Sequence, residues 1–137
     1  MVYFSGKALE MIKNSLGSKE YEAGGMLGSN NDDVIDTFFY DEGRGESKTD
    51  YYPYVELWQR KLAEWDASKI TFRGIIHSHV NNDKLSDRDI KMAREILRIN
   101  SLQSILMPIF LINRAEIVWY EVGMDFVRNL DSKVVIN

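Results

Sequence analysis

Residues 74–90, GIIHSHVNNDKLSDRDI, decide how the rest of the chain is read. The apolar pair Ile75-Ile76 announces a strand, and the only two histidines of the protein, His77 and His79, follow at its end two positions apart. Side chains at i and i+2 of a strand project from one face, roughly 6.5–7 Å apart along the chain, so both imidazoles can turn toward a single point. An apolar helical pattern begins just after Ser86-Asp87-Arg88-Asp89. Ser86 suits the N-cap, and Asp89 then falls in the first turn, near the positive end of the helix dipole where a carboxylate is favoured. A strand end and a helix start thus deliver two imidazoles and a carboxylate to one neighbourhood.

Any metal held there has to be held by imidazole and carboxylate, because the chain contains no cysteine. The same absence removes disulfides, thiolate metal sites and cysteine nucleophiles, and fits a cytoplasmic protein. With 45% hydrophobic residues in 137, the sequence is expected to form one domain, residues 1–137, that buries a core without covalent cross-links. The net charge of −4, with no block of lysine and arginine, argues against a nucleic-acid partner. The opening MVYFSGKALE has no apolar leader, and the longest apolar run, 105–112 with Pro108 inside it, is far too short to span a bilayer. No membrane association is expected, and the apolar stripes are all absorbed by one core, which leaves the oligomeric state open.

Working outward, Ser5 suits an N-cap, Ala8, Leu9, Ile12 and Leu16 recur at helical spacing, and Gly17 follows as a stop. Met26-Leu27 and then Val34-Ile35 with Phe38-Phe39-Tyr40 read as two strands of a hairpin turning at residues 29–32. Residues 41–50, DEGRGESKTD, are polar and aperiodic, which predicts a mobile loop. Pro53 suits a first helical turn, and Val55, Trp58, Leu62 and Trp65 continue a helix over 53–66 with a bulky buried face. Tyr51, Tyr52 and Tyr54 are read as packing residues at its start, with a grip on an extended peptide chain as the alternative. Residues 70–77 form the strand leading into the histidines, and Ile90, Ala93, Ile96 and Leu97 define a helix over 87–100. The run 105–112 reads as a central strand buried on both faces, with 115–122 as its hairpin partner. The tail from Gly123 is ambiguous: Phe126, Val127 and Leu130 suit a short helix, and Val134-Val135-Ile136 a short edge strand. This order implies an α/β fold with one mixed sheet covered by helices.

A catalytic zinc site typically has three protein ligands and an open fourth position. His77, His79 and Asp89 are the candidates that combine two imidazoles with a nearby carboxylate. Hydrolysis at such a site also needs a proton acceptor that is not a ligand. Glu22, beside Gly24 and Gly25 at the start of a strand, is a candidate, and Glu20 lies two residues away. Ser86, one turn from Asp89, is placed to donate a hydrogen bond to an oxyanion. Asp83 and Asp87 are solvated, or serve as partners to a histidine nitrogen. The S-x-x-D spacing is also that of a capping box, so Ser86 is expected to have a structural task as well.

Glu22-Ala23-Gly24-Gly25-Met26-Leu27-Gly28, His77-Ser78-His79, and Ser86 with Asp89 resemble the signature of the JAMM zinc metalloproteases, also called MPN+ or JAB. The resemblance follows element order over nearly the whole chain and is strongest to compact prokaryotic JAB members. It implies a single-domain α-β-α fold with a mixed central sheet, like that of cytidine deaminases. It also implies a zinc-dependent isopeptidase or peptidase acting at the C-terminal tail of a ubiquitin-like or sulfur-carrier protein. In that pattern His77, His79 and Asp89 match the zinc ligands, Glu22 the general acid/base and Ser86 the oxyanion donor. Two departures stand out: Val80 follows the second histidine where the family usually has proline, and residues 80–85 number six where the family usually has seven. Two other readings are a catalytically idle scaffold of the same fold that binds a protein partner, and a zinc hydrolase of a small-molecule amide.

Overall fold

The computed structural model describes residues 1–19, 21–30, 33–43, 53 and 55–136. Its elements run β1 (Val2–Ser5), α1 (Gly6–Leu16), β2 (Gly24–Ser29), β3 (Thr37–Asp41), α2 (Val55–Ala67), β4 (Thr71–His79), α3 (Asp87–Asn100), β5 (Ser104–Leu106), β6 (Ile109–Leu111), β7 (Glu116–Gly123), β8 (Val127–Leu130) and β9 (Ser132–Val135). β4 lies at the middle of a mixed sheet. On one side it pairs antiparallel with β2, which carries β3; on the other it pairs parallel with β5 and β6, which are followed by antiparallel β7 and β8.

Alternation along β4 supplies two separate cores. Ile76 points to the layer of α1, where Ile12 and Leu16 pack with Leu27, Phe110 and Trp119. Ile75 points to the opposite layer, where Trp58 and Trp65 of α2 pack with Met26, and α3 continues that layer with Ala93 and Leu97 against Ile105 and Val122. Each fully buried aliphatic side chain stabilises the fold by about 1.5–3 kcal/mol, so this two-sided run holds the strand firmly. The Trp58/Trp65 stripe expected to be core is core, at 7% and 3% exposure. The pairing of β4 with β2 shifts between Leu27↔Gly74 and Gly28↔Phe72, so Arg73 is bulged out and Phe72 joins the layer of Ile75. At Gly74 an added Cβ would lie 2.0 Å from the Leu106 carbonyl oxygen, which is why the strand begins its buried run on glycine.

The expected α-β-α arrangement is observed, with four differences in detail. VYFS forms β1, a strand not expected from the sequence, because its parallel partner β9 lies at the other end of the chain. Val34-Ile35 leave the hairpin and bridge to β1 instead: the Ile35 N–H donates to the Tyr3 carbonyl at 2.9 Å, and the Ser5 N–H donates to the Ile35 carbonyl at 2.8 Å. The single strand expected over 105–112 is two, β5 and β6, because Pro108 has no N–H for the ladder. Where Phe126, Val127 and Leu130 suited a short helix the tail forms β8, with the Gly123 N–H donating to the Phe126 carbonyl at 2.9 Å to turn the chain back on β7, while the short strand expected at Val134-Val135 is present as β9. The expected mobile loop begins only after Asp41, which closes β3, and its residues 44–50, with Tyr51, Tyr52 and Tyr54, lie outside the described residues. Among the described residues no helix is long and apolar enough to cross a membrane.

Candidate metal centre

Two positions beyond Ile75 and four beyond it, His77 and His79 share the β4 face that looks toward α2 and α3. Both are buried, at 2% and 7% exposure, and their rings meet edge to face with centroids 4.7 Å apart. Asp89 reaches them from the first turn of α3. Its position follows from a reciprocal cap: Ser86 Oγ accepts the Asp89 N–H at 3.1 Å, and Asp89 Oδ2 accepts the Ser86 N–H at 2.9 Å. The capping box expected from S-x-x-D is therefore present, and it aims the carboxylate back toward the strand.

Asp89 Oδ2 lies 3.1 Å from His77 Nε2 and 3.5 Å from His79 Nε2. One donor atom from each of the three residues lies within 4.8 Å of the other two. Ligand atoms about 2 Å from a tetrahedral zinc ion stand roughly 3.3 Å from one another, and the two distances to Asp89 Oδ2 match that spacing. Among the described residues the buried His77 Nδ1 has no hydrogen-bond partner, and Nε2 faces the Asp89 carboxylate without a well-aligned hydrogen bond to it. A buried orphan of that kind is costly unless something else takes up the lone pair. The His79 ring is set differently. Its Nδ1 lies 2.8 Å from the Asn82 carbonyl oxygen, an acceptor only, so Nδ1 carries the proton and Nε2 is left to bind. The partner to a histidine nitrogen is thus the Asn82 backbone, and neither Asp83 nor Asp87 fills that place.

The electrostatics follow the geometry. Burial alone would raise the Asp89 pKa, but the two facing imidazoles and the Ser86 N–H outweigh it and hold the carboxyl well below the usual carboxylate range. Burial alone would lower the His79 pKa. The Asp89 carboxylate, the Asn82 carbonyl and the charge of Glu22 reverse that and raise it.

Glu22 is brought to the same place by strand register. Gly24 pairs with His77, and the Ser78 N–H donates to the Ala23 carbonyl at 2.8 Å, so Glu22, half-buried, comes opposite His79 on the same face. Ser78, between the two histidines, points to the other face and is fully buried. Its Oγ accepts the Ala23 N–H at 3.0 Å and lies 3.2 Å from the Ala23 carbonyl oxygen, to which it donates. Gly24 also pairs with Asp41, which puts that buried carboxylate on the histidine face. Asp41 accepts the Trp58 Nε1–H at 2.7 Å and the Gly43 N–H at 2.8 Å, tying α2 and the outgoing chain to the rim of the site. Ser78 and Asp41 were not singled out in the sequence, since the partners of both are remote in it. A cavity of about 810 Å³ lies between α2 and α3, but none of the cluster residues lines it.

No family model matches this sequence, and no curated protein matches it either. Solved structures do. A protein from Desulfitobacterium hafniense, solved in solution, superposes with a TM-score of 0.73 at 16% identity, over 100% of this chain and 94% of that one. A JAB1/MPN domain protein from Archaeoglobus fulgidus superposes with a TM-score of 0.56 at 14% identity, over 98% of this chain and 97% of that one. The fold is the JAB1/MPN fold. A third structure, described as JAMM, a metalloprotease-like zinc site in the proteasome and signalosome, matches with a TM-score of 0.55 at 14% identity, over 98% of each chain. At these identities the likeness is one of fold. On that JAB1/MPN frame the cluster of His77, His79 and Asp89 resembles the JAMM arrangement, and it stands at the end of the central strand where the sequence put it.

Proposed function

We propose that this chain is a zinc-dependent metallopeptidase that hydrolyses an amide or isopeptide bond at the C-terminal tail of a ubiquitin-like or sulfur-carrier protein. The observation that carries the reading is the buried convergence of His77 Nε2 and His79 Nε2 on Asp89 Oδ2. His77, His79 and Asp89 would hold the ion. When bound, zinc supplies Lewis acidity toward a carbonyl oxygen and toward water.

The remaining work belongs to side chains of this protein. Glu22, across from His79, takes a proton from the attacking water and delivers it to the leaving amine. Ser86 Oγ is already committed as acceptor of the Asp89 N–H, so its own proton is the one available to a developing oxyanion at the mouth of the site. The exposure of Ser86 keeps that hydroxyl within reach of a substrate arriving from solvent. Asp89 stays ionised throughout because its carboxyl is held so far below the usual range. The cysteine-free composition fits the cytoplasm as the compartment.

The test is to incubate zinc-loaded protein, and its Glu22→Gln variant, with a panel of ubiquitin-like and sulfur-carrier proteins carrying C-terminal extensions. Release of an extension by the unaltered protein, reduced about 10²–10⁴-fold by the substitution, is expected. Stoichiometric zinc uptake with no cleavage of any member would overturn the peptidase reading in favour of a binding scaffold.

A further inference from the structure

We infer that Tyr120 is a positioning residue for the metal centre: it grips the Asp83 carbonyl and so fixes the 80–85 segment, whose Asn82 carbonyl orients His79. The inference rests on the metal-site reading above and concerns Tyr120, which the sequence pattern does not single out.

The strand registers bring Tyr120 to the right face. His77 pairs with Ile109 and Ile109 with Val118, so Val118, and Tyr120 two residues on, project to the side that carries the histidines. From there the Tyr120 hydroxyl donates to the Asp83 carbonyl at 2.6 Å. The neighbouring carbonyl, that of Asn82, accepts from His79 Nδ1 at 2.8 Å. Two successive carbonyls are thus held, one by a phenol from β7 and one by the imidazole it serves. The Lys84 N–H closes on Asn82 Oδ1 at 3.1 Å, which curls the segment into a short turn. Its entrance is fixed separately, by the Ile112 N–H to the His79 carbonyl at 3.0 Å and the Asn113 N–H to the Val80 carbonyl at 3.2 Å.

Val80, Asn81, Asn82 and Lys84 are exposed, and within 80–85 only Leu85, three residues beyond Asn82, packs against the core. Hydrophobic packing therefore does little to hold the Asn82 peptide plane, and a rotation there would take its carbonyl off the His79 ring. Burial, reinforced by the charge of Asp83, pushes the Tyr120 pKa up, so the phenol keeps the proton it donates through neutral and mildly alkaline pH. A backbone carbonyl that fixes a ligating imidazole typically governs metal affinity by 10–100-fold. Tyr120 acts one bond further out, and about a tenfold effect is expected.

Tyr120→Phe keeps the ring and removes the hydroxyl. With ¹⁵N-labelled histidine in the metal-free proteins, at a pH where the ring is neutral, His79 of the unaltered protein should be the single Nδ1–H tautomer, and the variant should give a mixture. Zinc affinity, read by competition with a chromophoric chelator, should weaken about tenfold. An unchanged tautomer together with an unchanged affinity overturns the inference. Should Tyr120→Phe fail to fold, Tyr120→Met, which likewise lacks the hydroxyl, takes over the test, and an unchanged tautomer there overturns it equally. If the unaltered protein takes up no zinc, the metal reading falls, while the tautomer comparison in metal-free protein still decides what Tyr120 does.

Discussion

Ser78 Oγ accepts the backbone N–H of Ala23 at 3.0 Å, joining the histidine strand to the residue after Glu22 across 55 positions of sequence. Glu22 is therefore aimed by a serine on the opposite face of the sheet from the one where it acts. Ser78→Ala leaves the buried Ala23 N–H without its acceptor, at a cost of about 1–3 kcal/mol. Denaturant melts should register that loss. Zinc stoichiometry should remain one per chain while turnover falls, since the capping bonds of Asp89 and the Asn82 carbonyl at His79 are untouched while the backbone beside Glu22 loses an anchor.

Ser86 has two tasks that one substitution separates. Ser86→Gly keeps most of the capping preference at this position, whereas Ser86→Ala loses about 1 kcal/mol of it. Both lose the hydroxyl as oxyanion donor, so both should lower kcat by about 10²–10³. A Gly variant that melts near the unaltered protein yet retains full turnover would remove Ser86 from the chemistry.

The raised pKa of His79 and the lowered pKa of Asp89 give the metal-free protein a definite pH profile. A raised histidine pKa contributes stability that is complete below its unfolded value of about 6.5 and is lost as pH rises through the folded value. The depressed Asp89 contributes above its unfolded value of about 3.9 and loses that only in acid. Metal-free protein should therefore be most stable between roughly pH 4 and 6.5 and soften toward alkaline pH. Zinc competes with the His79 proton, so the stabilisation it adds should grow over the same alkaline range. Thermal melts in chelator and in zinc, stepped across pH, check both slopes. A flat metal-free profile contradicts the first.

Gly74→Ala should be among the most damaging single changes in the chain. The new Cβ would sit 2.0 Å from the Leu106 carbonyl oxygen and 2.8 Å from its carbon, both backbone atoms that cannot swing aside. Moving β4 from β5 would disturb the strand three residues before His77. A loss of at least about 3 kcal/mol is expected in denaturant melts, with zinc uptake falling alongside.

Asp41→Asn tests the tie at the rim. The carboxylate accepts the Trp58 Nε1–H and the Gly43 N–H, both from neutral donors, so an amide can replace only part of it. A cost of about 1–3 kcal/mol in denaturant melts is expected, with the zinc triad intact in stoichiometry.

The parts of this molecule that were legible in its sequence are the ones governed by local rules. Period two put His77 and His79 on one face, and the spacing of Ser86 and Asp89 gave the cap that turns the carboxylate toward them. The three helices followed from their apolar stripes for the same reason. What escaped the reading depends on partners far along the chain or on atoms every residue possesses. VYFS is too short to declare itself without β9, and the Asn82 carbonyl that orients His79 has no side-chain signature. The task of Ser78 depends on Ala23, which only the sheet register sets beside it. Pro108 was visible, but an apolar run on both sides hid the break it makes in the ladder.

The hydrogen bonds between Ser86 and Asp89 are made by the helix for its own sake, and they hold the carboxylate at its station through protein atoms alone. Little of the site has to be assembled when the cation arrives. Stripping and reloading should therefore be a matter of filling and emptying a finished socket, rapid and repeatable, with the backbone indifferent to either event.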